Sequence, residues 1–274
     1  MKKINIVKSQ FLVALVSSYL SLGASSCGQT GNEFVELPSE AAPAPDLVNG
    51  PNVCFPSGTG GPGTTPTDAK QGIYGKLYAL DPAKSSLATT VDGLISNADA
   101  LANIYFNDFN VPVTSFDQGF RIGPTEYLQD QKKNTLIEWF GIDTQFRVKL
   151  RPAADSEGYY QFATDSDDGS LVYDKNIMSQ ETLLVGNDGL HLPQFKCANR
   201  AVHLAAGELF PMRLKYYQGP RFLIELKLLW RKVTPEMAQA DNLACGATSD
   251  YQALKPENYF LPAGFTENPC VVKP

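Results

Sequence analysis

Histidine is scarce in this chain of 274 residues, which holds only His191 and His203. His203 sits in an alternating strand between Val202 and Leu204, where a packing or surface role is the simpler reading. No Gly-x-Ser-x-Gly elbow, phosphate-cradling glycine loop or His-Glu-x-x-His is present. The usual signatures of a hydrolase, a nucleotide enzyme and a zinc protease are therefore missing, and the expectation is a protein that is not an enzyme. Basic excess is missing as well. Lys and Arg number 23 against 29 Asp and Glu, a net charge of −6. That argues against nucleic acid as a partner and against electrostatic binding to anionic lipid. Charged residues are few at 19%, yet hydrophobic residues reach 43%, so a core is affordable and wholesale disorder is excluded. The 22 Gly and 19 Pro suit a fold with many turns.

Long apolar runs are lacking too. Phe11 to Leu22 is too short and too polar for a transmembrane span. It follows Lys2, Lys3 and Lys8, and the small residues Ala24, Ser25 and Ser26 come after it, so residues 1–26 read as a signal peptide. Small residues immediately before Cys27 resemble the bacterial lipobox, in which the cysteine is lipidated. Ordinary cleavage of a secretory signal is the alternative. Residues 27–68, rich in Pro, Gly, Ser and Thr, read as the lipidated cysteine followed by a flexible tether. The expected location is the bacterial cell envelope, lipid-anchored and at the outer membrane because Gly28 follows the cysteine; otherwise the protein is secreted or periplasmic. Cysteine is sparse at five, with no zinc-type spacing. Without Cys27, four remain: Cys54, Cys197, Cys245 and Cys270. An even number in an oxidising compartment suggests two disulfides. Of three possible pairings, Cys54–Cys270 and Cys197–Cys245 are expected.

Residues 69–233 carry the patterning of one domain. Gly72 to Tyr78 reads as a strand. From Leu87 to Tyr105 the apolar positions fit a helical face, so one helix or a broken helix is expected there. Asn107 to Gly119 reads as loop. Phe146, Val148 and Leu150 alternate with Arg147 and Lys149. Tyr160 and Phe162 lead to Asp165-Ser166-Asp167-Asp168-Gly169, then to Leu171-Val172-Tyr173-Asp174. Three carboxylates in four residues need donors, a basic neighbour or a cation. Lys175-Asn176 is read as a tight turn and Asn187 to His191 as a polar loop. Phe210 to Tyr217 and Ile224 to Trp230 alternate as a closing strand pair around Gln218-Gly219-Pro220-Arg221. Residues 234–274 are a C-terminal extension packed on the domain, with a helical turn at Pro235 to Gln239.

Ser166-Asp167-Asp168-Gly169-Ser170, the Tyr160-x-Phe162 strand before it and Tyr173-Asp174 after it resemble the central signature of the PA-fourteen (protective-antigen) domain family. The resemblance runs from Gly72 to Trp230. It implies a mostly β fold, an antiparallel β-sandwich or barrel with one helical insertion. In the family's fungal adhesins, two consecutive Asp joined by a cis peptide bind Ca²⁺, and the ion ligates sugar hydroxyls. Asp167 and Asp168 stand at those positions, and Gln218 stands where the adhesins place Asn. Asn187, Asp188, His191 and Arg221 are candidates to line the same end and contact ligand. The competing reading gives Asp167 and Asp168 a structural role, accepting backbone N–H groups in the turn. The function expected from the resemblance is a ligand-binding module for carbohydrate or a cell-surface glycan, with Ca²⁺ as the implied cofactor. The alternative is a structural or protein-interaction module of the envelope with no sugar binding.

Overall fold

The computed structural model describes residues 52–54, 70–121, 127–130, 132–177, 180–265 and 267–268. The expected signal peptide, Cys27, most of the tether and Cys270 lie outside the described residues, so the Cys54–Cys270 pairing does too. The elements in chain order are β1 (Asn52–Cys54), β2 (Ile73–Ala79), a 3-10 turn (Pro82–Leu87), α1 (Val91–Asn97), β3 (Asp99–Phe106), β4 (Asn110–Ser115), β5 (Phe140–Val148), β6 (Gly158–Asp167), β7 (Ser170–Ile177), β8 (Gln180–Asn187), β9 (Gln194–Cys197), β10 (Val202–Leu204), β11 (Phe210–Gln218), β12 (Leu223–Val233), α2 (Pro235–Ala238), β13 (Gln252–Ala253) and β14 (Tyr259–Phe260). They form a mostly antiparallel β-sandwich. One sheet has the order β1-β3-β2-β5-β11-β7-β8, with β14 also on β5. The other has the order β10-β6-β12-β13, with β4 on β12 and β9 on β6.

The core sits between the sheets, and strand alternation builds it. Phe210, Met212, Leu214 and Tyr216 of β11 point inward, as do Phe140, Ile142, Phe146 and Val148 of β5. From the opposite sheet, Trp230 meets Tyr160 at 4.7 Å and Phe162 at 6.0 Å between ring centres. Burial on this scale contributes about 25 cal/mol per Å² of apolar surface and dominates the stability.

Helix α1 starts at Thr90, whose side chain accepts from the Gly93 amide. Val91 and Leu94 pack with Leu171 and Tyr217 on the outer face of the larger sheet. Gly141 permits this approach, since a Cβ there would come within 2.6 Å of Leu94.

Three local expectations are corrected. The helical reading of Leu87–Tyr105 holds only for Val91–Asn97, because Asp99–Phe106 is strand β3. That strand is covered on both faces. Ala102 and Ile104 enter the main core, while Tyr105 turns outward to Tyr74 and Leu261. A strand buried on both sides loses its period-2 alternation. The segment read as loop at Asn107–Gly119 contains β4, where Pro112 is tolerated because β4 flanks the sheet. Strand β7 runs through Lys175-Asn176 to Ile177, so no turn occurs there.

The C-terminal extension straps both sheets. Strand β13 pairs with β12, and β14 pairs with β5. The expected Cys197–Cys245 disulfide is present. Beside it, Gln161 is fully buried and acts as a hub. Its Nε2 donates to the carbonyls of Ala198 (2.6 Å) and Leu243 (3.2 Å), and its Oε1 accepts from Arg231 Nε and the Tyr251 hydroxyl, both at 2.7 Å. Arg231 also stacks over Tyr251 at 5.2 Å.

Replacing Gln161 with Ala strands these buried groups, and we expect about 2–4 kcal/mol of lost stability in urea unfolding. Cys245→Ser opens a 48-residue separation and should cost about 4 kcal/mol by the chain-entropy model. A loss below about 1 kcal/mol in both variants would mean that the extension is not coupled to the sandwich.

Candidate functional site

Strand β6 ends at Asp167 and β7 begins at Ser170, leaving a tight link through Asp168-Gly169. The Asp167–Asp168 peptide bond is cis. Cross-strand register brings two further loops to this end of the sandwich. Ser170 pairs with Asn187, the last residue of β8, and with Tyr216 near the end of β11. The site is therefore framed by the β6–β7 link, residues 188–193 and residues 219–222.

Asp168 holds these three segments together. Its Oδ1 accepts from the His191 amide at 3.0 Å, and its Oδ2 accepts from the Gly219 amide at 2.8 Å. Burial raises its pKa, while the two amides pull it back down. Gly219 is needed for the close approach: a Cβ there would lie 3.1 Å from Asp168 Oδ2 and 2.4 Å from Leu190. The floor beneath is a hydroxyl chain. Ser170 donates to Thr164 (2.9 Å) and bonds Ser166 (2.9 Å), while Asn187 Nδ2 donates to Ser166 (3.0 Å) and to the Gln194 carbonyl (2.7 Å).

Asp167 differs. It is 2% exposed, and its Oδ2 has no hydrogen-bond partner. Burial, then the Asp168 charge, push its pKa to about 7, with Glu225 adding to the rise and a hydrogen bond from Gln218 opposing it. An ionised carboxylate in such a place calls for a positive partner.

The other candidate residues fall into distinct places. Gln218 is buried; its Nε2 donates to the Leu223 carbonyl (3.0 Å) and lies 3.4 Å from Asp168 Oδ2. Its Oε1 is taken by the Tyr216 hydroxyl at 2.6 Å, so its amide nitrogen, not its oxygen, faces Asp168. Asn187 leaves its buried Oδ1 without a partner. Asp188 accepts from the amides of Val91 (2.8 Å) and Gly189 (2.9 Å), which ties the loop to the start of α1. The His191 ring turns back to the carbonyls of Leu192 (3.0 Å) and Asn187 (3.2 Å). Arg221 is exposed, 3.7 Å from Glu138 and stacked 5.8 Å over Phe116.

Three residues escaped the sequence reading. Phe222 is 70% exposed with φ of 144°, a backbone conformation that L-residues rarely adopt. Leu190 and Leu192, on the 188–193 loop, are exposed apolar residues as well. Glu225 and Lys227 lie on β12 beside β6. Their link to the turn depends on register across the sheet, which no local pattern reveals.

The site's chemistry suits a hard cation. Asp167 Oδ2 is free and Asp168 Oδ1 keeps a second lone pair, whereas Asp168 Oδ2 accepts from both Gly219 and Gln218. Among the described residues no group of three or more His, Cys, Asp or Glu is arranged to hold a metal. Ca²⁺ takes six to eight oxygens, so two carboxylates leave most positions to backbone carbonyls, water or ligand hydroxyls. Asp167 and Asp168 fit that role; Gln218 would need to turn its amide.

No family model matches the sequence, and no curated protein matches it. Among solved structures, the chain is similar to an anti-sigma factor domain-containing protein at 15% identity and a TM-score of 0.42, covering 72% of this chain and 51% of that one. The chain thus spans about half the length of that protein. It is also similar to the PA14 domain of the MpAFP antifreeze protein (13% identity, TM-score 0.44, covering 72% of this chain and 95% of that one). A third similar structure is the Epithelial Adhesin 6 A domain from Candida glabrata in complex with Galb1-3GlcNAc (17% identity, TM-score 0.42, covering 72% and 90%).

The state of Asp167 has a pH signature. Its pKa rises from 3.8 to about 7 on folding, so the folded state binds the extra proton between those values. The stability linked to this proton is fully present below about pH 4 and is lost as pH rises through about 7. In chelator, the urea midpoint should be lower at pH 8 than at pH 5. Asp167→Asn should flatten that difference and exceed the wild-type midpoint at pH 8. An unchanged slope in the variant would show that Asp167 is not the group responsible.

Proposed function

We propose that this is a lipid-anchored protein of the bacterial cell envelope whose β-sandwich is a PA-fourteen-type module that binds carbohydrate. In this reading Asp167 and Asp168 hold Ca²⁺, and the ion coordinates hydroxyl groups of a cell-surface glycan. One observation carries it: a buried carboxylate oxygen of Asp167 without a partner, next to the Asp168 carboxylate, at the loop end of the sandwich. The anchor rests on the basic, apolar and small-residue pattern that ends at Cys27.

The bound ion would supply charge and open coordination positions for vicinal hydroxyls. The protein's part is placement. Asp168 fixes the two flanking loops through their amides, and the hydroxyl chain from Asn187 to Thr164 stiffens the floor. Phe222 offers an exposed ring on the same loop as Gly219, and sugar rings stack on such faces. A second reading draws on the exposed side chains of Leu190, Leu192 and Phe222, which also suit a protein partner.

A glycan array run in calcium and again in chelator tests the proposal. We expect saccharide binding that disappears in chelator and in Asp167→Asn. Phe222→Ala should weaken it about tenfold, the size of one lost stacking contact. Binding that ignores chelator would keep the sugar and remove the metal. No binding by folded protein would favour a protein partner at Leu190, Leu192 and Phe222.

A further inference from the structure

Behind Asp167 lies a second set of charges that neither the turn nor the loops require. Glu225 stands directly across from Asp167 in the β6–β12 ladder, and Lys227 stands across from Asp165. Residues two apart on a strand share a face, so these four side chains share one face of the smaller sheet. Glu225 is 3% exposed, close to the 2% of Asp167. The Lys227 ammonium bonds Glu225 Oε1 and lies 3.7 Å from Asp165 Oδ2. Three carboxylates, Asp165, Asp167 and Glu225, thus share this face with the Lys227 ammonium.

Like charges placed directly opposite in a sheet are destabilising. A scaffold alone gains nothing from an acid at position 225 facing Asp167. Burial raises the Glu225 pKa, while the hydrogen bond from Lys227 opposes that rise. Lys227 compensates Glu225 and Asp165 and does not bond the free Oδ2 of Asp167. The negative potential at Asp167–Asp168 is thus increased from behind and trimmed by a single internal cation.

We propose that Glu225, Asp165 and Lys227 are positioning residues that set how tightly Asp167–Asp168 holds a divalent cation. This rests on the calcium reading above. Glu225 and Asp165 strengthen the ion's binding without touching it, and Lys227 weakens it by the same long-range route.

The test is calorimetric titration of the purified protein with calcium chloride, with no sugar present. Glu225→Gln should weaken calcium binding about fivefold, and Lys227→Met should tighten it about fivefold, the order expected for one unit charge near a divalent ion. Both differences should shrink between ~0.1 M and ~1 M sodium chloride, because salt screens charge and does not repair packing. Urea unfolding checks that each variant is folded. If Lys227→Met does not fold, Asp165→Asn replaces it and should weaken binding. Shifts in the same direction for Glu225→Gln and Lys227→Met, or unchanged affinity in the acid-to-amide variants, would overturn the positioning role while leaving the calcium site standing. A wild-type protein that binds no calcium would overturn both readings.

Discussion

A carboxylate removed from water must find donors, and most of this molecule's loop end is arranged around that requirement. Asp168 meets it with two backbone amides from segments far apart in the chain, at His191 and Gly219. Hydrogen bonds to a charged acceptor are stronger than neutral ones. The same contacts therefore satisfy the acid and set the positions of the loops. Asp188 repeats the device a short distance away by taking the Val91 amide at the start of α1. Loop placement here is a consequence of acid satisfaction. Asp167, one residue earlier, is left incompletely satisfied, and the contrast between neighbours separates a structural acid from an available one.

The strand framework was legible where apolar and polar residue types alternate along a strand. Phe210–Tyr216 and Ile224–Leu228 alternate in residue type, and β6 with β7 carry the signature that marked the loop end of the sandwich. Legibility failed at β3, where core on one side and the Tyr74 group on the other hide the period, and where Ala-rich composition favours the helical template. It failed at β4 because Pro112 reads as a breaker unless the strand is known to lie at an edge.

The candidate site divides the same way. Consecutive acids in a turn are visible in any one-dimensional reading. The roles of their neighbours are not, because each is set by a partner far along the chain. Asp188 looked like a ligand contact and bonds a helix 97 residues away. Gln218 looked like an oxygen donor to a cation, yet its oxygen accepts from Tyr216. Glu225 drew no notice, since only register places it beside Asp167. Residue type suggested chemistry at each position, while the direction of each hydrogen bond decided its use.

The terminal strap has a temporal meaning. β13 and β14 come from the last part of the chain, yet each joins a different sheet, and β5 and β12 wait for them. A ribosome delivers those residues after every other strand has been made. The sandwich therefore cannot reach its finished pairing until residues 252–260 have been made. Contacts of such long sequence separation also slow the search for the native arrangement. Until the strap arrives, one side of β12 at Leu229–Trp230 and of β5 at Arg147–Val148 is open to pairing with other chains.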